Sequence, residues 1–244
     1  MAERKPGVLD QSPAEVTLNY LVILALIVIV YIFAWFFGRN WMVLHFSDLW
    51  KSGVNTPEAF GRVWFIFVWA FGSTFLPGAL SVIRREPQDR DPLVVLGRGQ
   101  WLSWNAGFFE ELIFRCFAFL SSMVFLRLLN AITYGFVSWF YSQFMIPLAN
   151  WATFGALELQ LKQSGWLLAA AIISTNGEFR DAHKYNGLVG YINSWFLGMV
   201  FYWLVFNYGL MTAIWVHIAY DAIIFATVAA ITALQPRPQY TLRW

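Results

Sequence analysis

Val16 to Phe37 runs for about 20 residues with almost nothing polar in it, long enough to cross a bilayer as a helix. The pattern recurs at Val63–Ile83, Trp101–Asn130, Val189–Phe206 and Leu210–Leu234. Backbone polar groups inside hydrocarbon must pair within the protein, and helices satisfy that segment by segment. The expected fold class is therefore all-α: a polytopic transmembrane helical bundle with about 6–8 membrane segments. Composition agrees, with 59% of the 244 residues hydrophobic and 12% charged. A net charge of +2 is too small to suggest a nucleic-acid partner, so the lipid bilayer is the first partner expected. The first run is too long for a signal h-region and lacks a small-x-small cleavage site, so it reads as a retained anchor. The single cysteine, Cys116, excludes an internal disulfide and reads as inert packing.

Four regions follow: a polar N-terminal tail, 1–15; two spans with a basic cytoplasmic loop, 16–100; a core, 101–234, with an inserted segment at 131–161; and a C-terminal tail, 235–244. Arg39–Arg62 reads as a loop with interfacial Trp41 and Trp50 and a solvated His45. Arg84–Gln100 is the most charged piece and reads as a loop. Ala131–Leu161 is aromatic and broken at Pro147; Trp166–Ile173 is a short apolar helix entering the polar string Ser174–Lys184. If the insert returns to the side it left, and the N-terminus is cytoplasmic, ten Lys and Arg residues lie inside and five outside. One full crossing there gives seven and eight, so the positive-inside bias favours the returning version.

Within the central run stand Glu110, Glu111 and Arg115. Each such group costs roughly 2.5–3.5 kcal/mol at a helix centre, so three together need a reason. Glu111 and Arg115 are four apart and pair along one face. Glu110 points about 100° away and is left as a functional candidate.

Two of the three histidines also have a partner four residues off: Phe179 with His183, and His217 with Asp221. In the returning topology the polar ends of the Glu110 and His183 helices meet, and His217 with Asp221 lies nearer mid-depth to complete a pocket. A carboxylate and an imidazole sharing one water form a general-base arrangement suited to hydrolysis. A second imidazole stabilises an oxyanion, and Asp221 accepts the other ring proton of His217. For each histidine alone, the plain alternative is an interhelical hydrogen bond.

Glu110-Glu111-x-x-x-Arg115, Phe179-x-x-x-His183 and His217-x-x-x-Asp221, in that order, resemble the three signatures of the CPBP family of CAAX proteases and bacteriocin-processing or immunity (Abi) proteins. The resemblance covers residues 100–234 and includes Gly198 and the Tyr208-Gly209 turn. It implies a helical bundle with an intramembrane, metal-independent glutamic-type peptidase site and no cofactor. Glu110 and His183 would activate water, His217 and Asp221 would stabilise the oxyanion, and Glu111, Arg115 and Phe179 would support them. A peptide or protein substrate is the implied partner, and the expected location is a bacterial or archaeal cytoplasmic membrane with the N-terminus cytoplasmic. Three features depart from the pattern: Cys116 replaces a glycine, the gap before His183 is longer by the 131–161 insert, and Glu178, Arg180, Asp181 and Lys184 crowd His183 with charge.

The alternative is a catalytically silent relative acting as scaffold or accessory subunit of a membrane complex. A two-His-one-Glu zinc site has ligands of the right type, but no HExxH occurs and the resemblance argues against metal. Paired broken helices of a transporter are absent from the sequence.

Overall fold

The structure, a computed structural model, describes residues 12–50 and 55–237. Most of both expected tails, and Lys51 of the first loop, lie outside those residues. Among the described residues every regular element is helical, and five helices are long and apolar enough to span a membrane. They are Pro13–Trp41, Trp64–Ile83, Pro92–Ile132, Gly187–Tyr208 and Leu210–Leu234. The chain is an integral helical membrane protein by this measure.

Two helix starts come earlier than the hydropathy predicts, for the same reason. Helix α1 (Pro13–Gly38) opens inside the expected polar tail, because Ser12-Pro13-Ala14-Glu15 forms a capping box. Ser12 Oγ accepts from Glu15 N–H at 3.2 Å, and Glu15 Oε2 accepts from Ser12 N–H at 3.0 Å. The expected loop Arg84–Gln100 likewise ends at Asp91, whose Oδ1 accepts from Leu93 N–H at 2.8 Å, with Pro92 in the first turn of α5 (Pro92–Asn105). The other expected loop, Arg39–Arg62, contains two short helices, α2 (Phe46–Leu49) and α3 (Thr56–Arg62), ahead of α4 (Trp64–Ile83). After α5 the helix continues through a π-helical stretch, Ala106–Ala118, into α6 (Phe119–Ile132).

The insert is not broken at Pro147. That residue lies inside a continuous helical run, directly after the π-helical turn Tyr141–Met145 and at the start of the α-helical stretch α8 (Ile146–Ala152). The segment α7 (Phe136–Phe140), a π-helical turn at Tyr141–Met145 and α8 run on without interruption. The breaks lie on either side, at Tyr134-Gly135 and Phe154-Gly155, all four with positive φ. A π-helical turn at Leu159–Gln163 leads into α9 (Trp166–Ala182), a single helix that absorbs most of the polar string. Helices α10 (Gly187–Tyr208) and α11 (Leu210–Leu234) close the chain, with Gly209 at φ +87° between them.

The chain divides into two compact units. One comprises Met1–Tyr20, Phe60–Phe108 and Trp215–Trp244. In it the second part of α11 lies against α4 and α5 at glycines. A methyl group added at Gly78 would strike Ile231, at Gly99 Phe225, and at Gly107 the backbone nitrogen of Ile218 at 2.8 Å. Close backbone approach at small residues is the usual means of helix association in membranes. Gln100 Nε2 donates to Ala222 O at 3.2 Å, and Thr17 Oγ1 donates to Asn105 Oδ1 at 3.0 Å.

The other unit comprises Leu21–Ala59 and Phe109–Ile214. Its centre is α9, whose residues Leu167–Ile173 are all buried although the helix has only 17 residues and a polar second half. Helix α9 runs antiparallel to the Glu110–Phe119 stretch: His183 meets Glu110, and four residues back Phe179 meets Phe114 with ring centres 5.5 Å apart. The insert therefore leaves and rejoins this helix pair at one end.

Candidate functional site

Glu110, Glu111 and Arg115 all belong to the π-helical stretch. A π turn closes to i+5 and loosens the carbonyl ladder, a geometry seen most often at functional sites. Tyr202 on α10 uses the loosened ladder, donating from Oη to Phe114 O at 3.2 Å. Beside it the Thr175 hydroxyl has one hydrogen to give, either to Tyr202 Oη or to Ala171 O at 2.7 Å.

Arg115 Nη1 lies 3.4 Å from Glu111 Oε1, and neither side chain is exposed at all. The guanidinium carbon sits 3.8 Å from the centre of the Phe179 ring, with Phe201 and Tyr202 at 5.3 and 5.7 Å. Its three nitrogens have no hydrogen-bond partner among the described residues. The charge is met instead by one carboxylate and three aromatic faces, each desolvated cation–π contact being worth about 1–2 kcal/mol. Gly198 on α10 leaves the room this requires, since a methyl group there would meet Asn176 Oδ1 and come within 2.9 Å of Arg115 Nη2. Asn176 is tied from the other side, donating from Nδ2 to Trp195 O at 2.9 Å.

Glu110 faces elsewhere. Its Oε2 lies 3.6 Å from His183 Nε2, the two side chains being 11% and 18% exposed. His183 is the first residue past α9, and its Nδ1 stands 2.8 Å from Phe179 O. A carbonyl only accepts, so Nδ1 carries a proton, and in the neutral tautomer this leaves the Nε2 lone pair toward Glu110. At 3.6 Å the two groups are too far apart for a direct hydrogen bond. Beside them Arg180 donates to Asp181 Oδ1 at 2.8 Å and lies over the Tyr191 ring at 4.4 Å. Tyr191 Oη donates to the same Asp181 Oδ1 at 2.9 Å. Of the charges crowded near His183, Arg180 and Asp181 are thus paired with each other.

His217 and Asp221 belong to the first unit, on α11. His217 Nε2 lies 3.6 Å from Asp221 Oδ2, with His217 buried and Asp221 half-buried. The four-residue spacing does bring these two side chains together. Cys116 is fully buried. Among the described residues no three His, Cys, Asp or Glu side chains form a metal-holding group.

No family model, curated protein or solved structure matches this chain. The geometry has to carry the functional reading.

Three contributors escape sequence reasoning. Tyr202 is one aromatic in a span full of them, and no spacing marks it. Thr175 and Asn176 are visible as polar residues entering an apolar helix, which is the signal that points to them.

Proposed function

We propose that this chain is a membrane-embedded, metal-independent endopeptidase in which Glu110 and His183 activate water for attack on a peptide bond. The observation that carries this reading is the Phe179 carbonyl on His183 Nδ1, which leaves Nε2 as an acceptor facing the Glu110 carboxylate. Two acceptors 3.6 Å apart repel unless a donor stands between or beside them. A water giving one hydrogen to each satisfies both and keeps its oxygen lone pair for the substrate carbonyl. As the C–O bond forms, one water proton passes to this pair. It is then delivered to the departing amine nitrogen as the C–N bond breaks.

The resemblance to the CPBP family supports the same roles and adds His217, oriented by Asp221, as the oxyanion donor. That addition rests on the order of the motifs in the sequence. Counting the insert run 136–152 and α9 as membrane segments beside the five long spans would bring the total within the expected 6–8. The charge split is consistent with a cytoplasmic N-terminus, and the CPBP resemblance implies a bacterial or archaeal cytoplasmic membrane.

A second reading, an accessory subunit of a membrane complex, draws on α1 and α4. Only 11% of each apolar window is buried, and Phe33, Phe36, Phe37, Trp64 and Trp69 face outward. The test is Glu110→Gln, which keeps shape but cannot take the proton from water. Peptide cleavage or complementation should collapse while thermal stability holds. Wild-type function from a well-folded Glu110→Gln would end the peptidase reading in favour of the second.

A further inference from the structure

We infer that Arg115 is a positioning residue for His183, acting through Phe179 to fix which nitrogen of the imidazole carries the proton. The inference rests on the peptidase reading for its purpose, though its test does not depend on activity.

The last carbonyls of a helix lose their regular partners and the final turn tightens. At the end of α9 the backbone N–H of His183 turns to Arg180 O at 3.0 Å instead of closing on Phe179 O. The Phe179 carbonyl takes the imidazole of the same residue, at Nδ1. The tautomer of His183 is therefore set by where one carbonyl in a terminal turn happens to be held, and such turns fray readily.

What holds it is the Phe179 side chain. The residue is fully buried, with the Arg115 guanidinium over its ring at 3.8 Å, Phe114 edge-on at 5.5 Å, and the His183 ring 4.6 Å away and tilted. Arg115 sits in the middle of a long helical run and is pinned by Glu111 and by the lack of room above Gly198. The guanidinium is thus the rigid end of the chain Arg115–Phe179–His183–Glu110. The consequence is chemical. With the proton on Nδ1, Nε2 accepts from water beside Glu110. With the proton on Nε2, the ring would turn a donor instead of a lone pair toward the carboxylate and lose its base function there.

Nitrogen-15 NMR of the histidine-labelled full-length protein in lipid nanodiscs reads the tautomer directly, the His183 signals being assigned by their loss in His183→Gln. Neutral His183 should be protonated at Nδ1 in the wild type and in Phe179→Trp, which keeps an aromatic face. In Phe179→Leu and Arg115→Lys the protonated and unprotonated signals should exchange places or average. A wild-type His183 protonated at Nε2 overturns the inference, as does a locked Nδ1 proton in either folded variant. Locked tautomers without hydrolysis would retire the peptidase reading alone; hydrolysis with an unlocked wild-type ring would retire the positioning role alone.

Discussion

Glu110 and Glu111 are chain neighbours with opposite surroundings. Glu111 is sealed with Arg115 in a core of aromatic rings, neither side chain exposed, whereas Glu110 reaches a histidine at the edge of the same helices, and both remain partly open. Composition cannot tell these carboxylates apart; the helical turn between them does. The sealed pair has the hallmarks of structure, since removing one partner of a buried ion pair leaves the other uncompensated. The open pair has the hallmarks of chemistry, because a group that must exchange protons needs access to water.

The contrast can be broken in order of expected effect. Glu110→Gln should lower the hydrolytic rate by about 10²–10⁴ with the thermal midpoint almost unmoved. Equal losses of rate and stability would mean that the open pair is structural after all. Glu111→Gln should do the reverse, costing about 3–5 kcal/mol of stability by stranding Arg115. Thermal denaturation in detergent measures it, and a stable Glu111→Gln would show that the aromatic faces alone hold the guanidinium. Gly198→Ala attacks the same core from α10, pushing on Asn176 and Arg115, and overpacking of this kind costs about 1–3 kcal/mol. Its activity, normalised to folded protein, should change less than that of Glu110→Gln. Asp91→Ala serves as the reference, removing only an N-cap at the far end of the same helical run, for about 1 kcal/mol. A rate effect from that variant would show that the helix start communicates with the site.

Much of this was legible beforehand. Leu210–Leu234 agrees with its apolar run residue for residue, because Gly209 and the polar tail punctuate both ends. The four-residue spacings of Glu111 with Arg115 and of His217 with Asp221 translate directly into contacts. The starts of α1 and α5 were misplaced by following hydropathy past Ser12-Pro13 and Asp91-Pro92, although both dipeptides are helix openings in their own right. Pro147 misled in the opposite direction, since the run 136–152 continues through it, with the π-helical turn Tyr141–Met145 standing directly before it. The π-helical stretch had no sequence signature at all. The Tyr202 bond to its Phe114 carbonyl joins residues 88 positions apart, which meet only once α10 is packed.

The antiparallel register of α9 against the Glu110 helix bears on what the segment joining them has to do. Glu110 with His183 and Phe114 with Phe179 are fixed by the two helices themselves, and everything between Thr133 and Gly165 is an excursion that starts and finishes at their far end. The excursion packs back on α9, with Tyr141 Oη 2.7 Å from Ser174 Oγ. The pairing at the opposite end is thus kept in step by the two helices' own packing, and the chain that joins them has only to bring their far ends together.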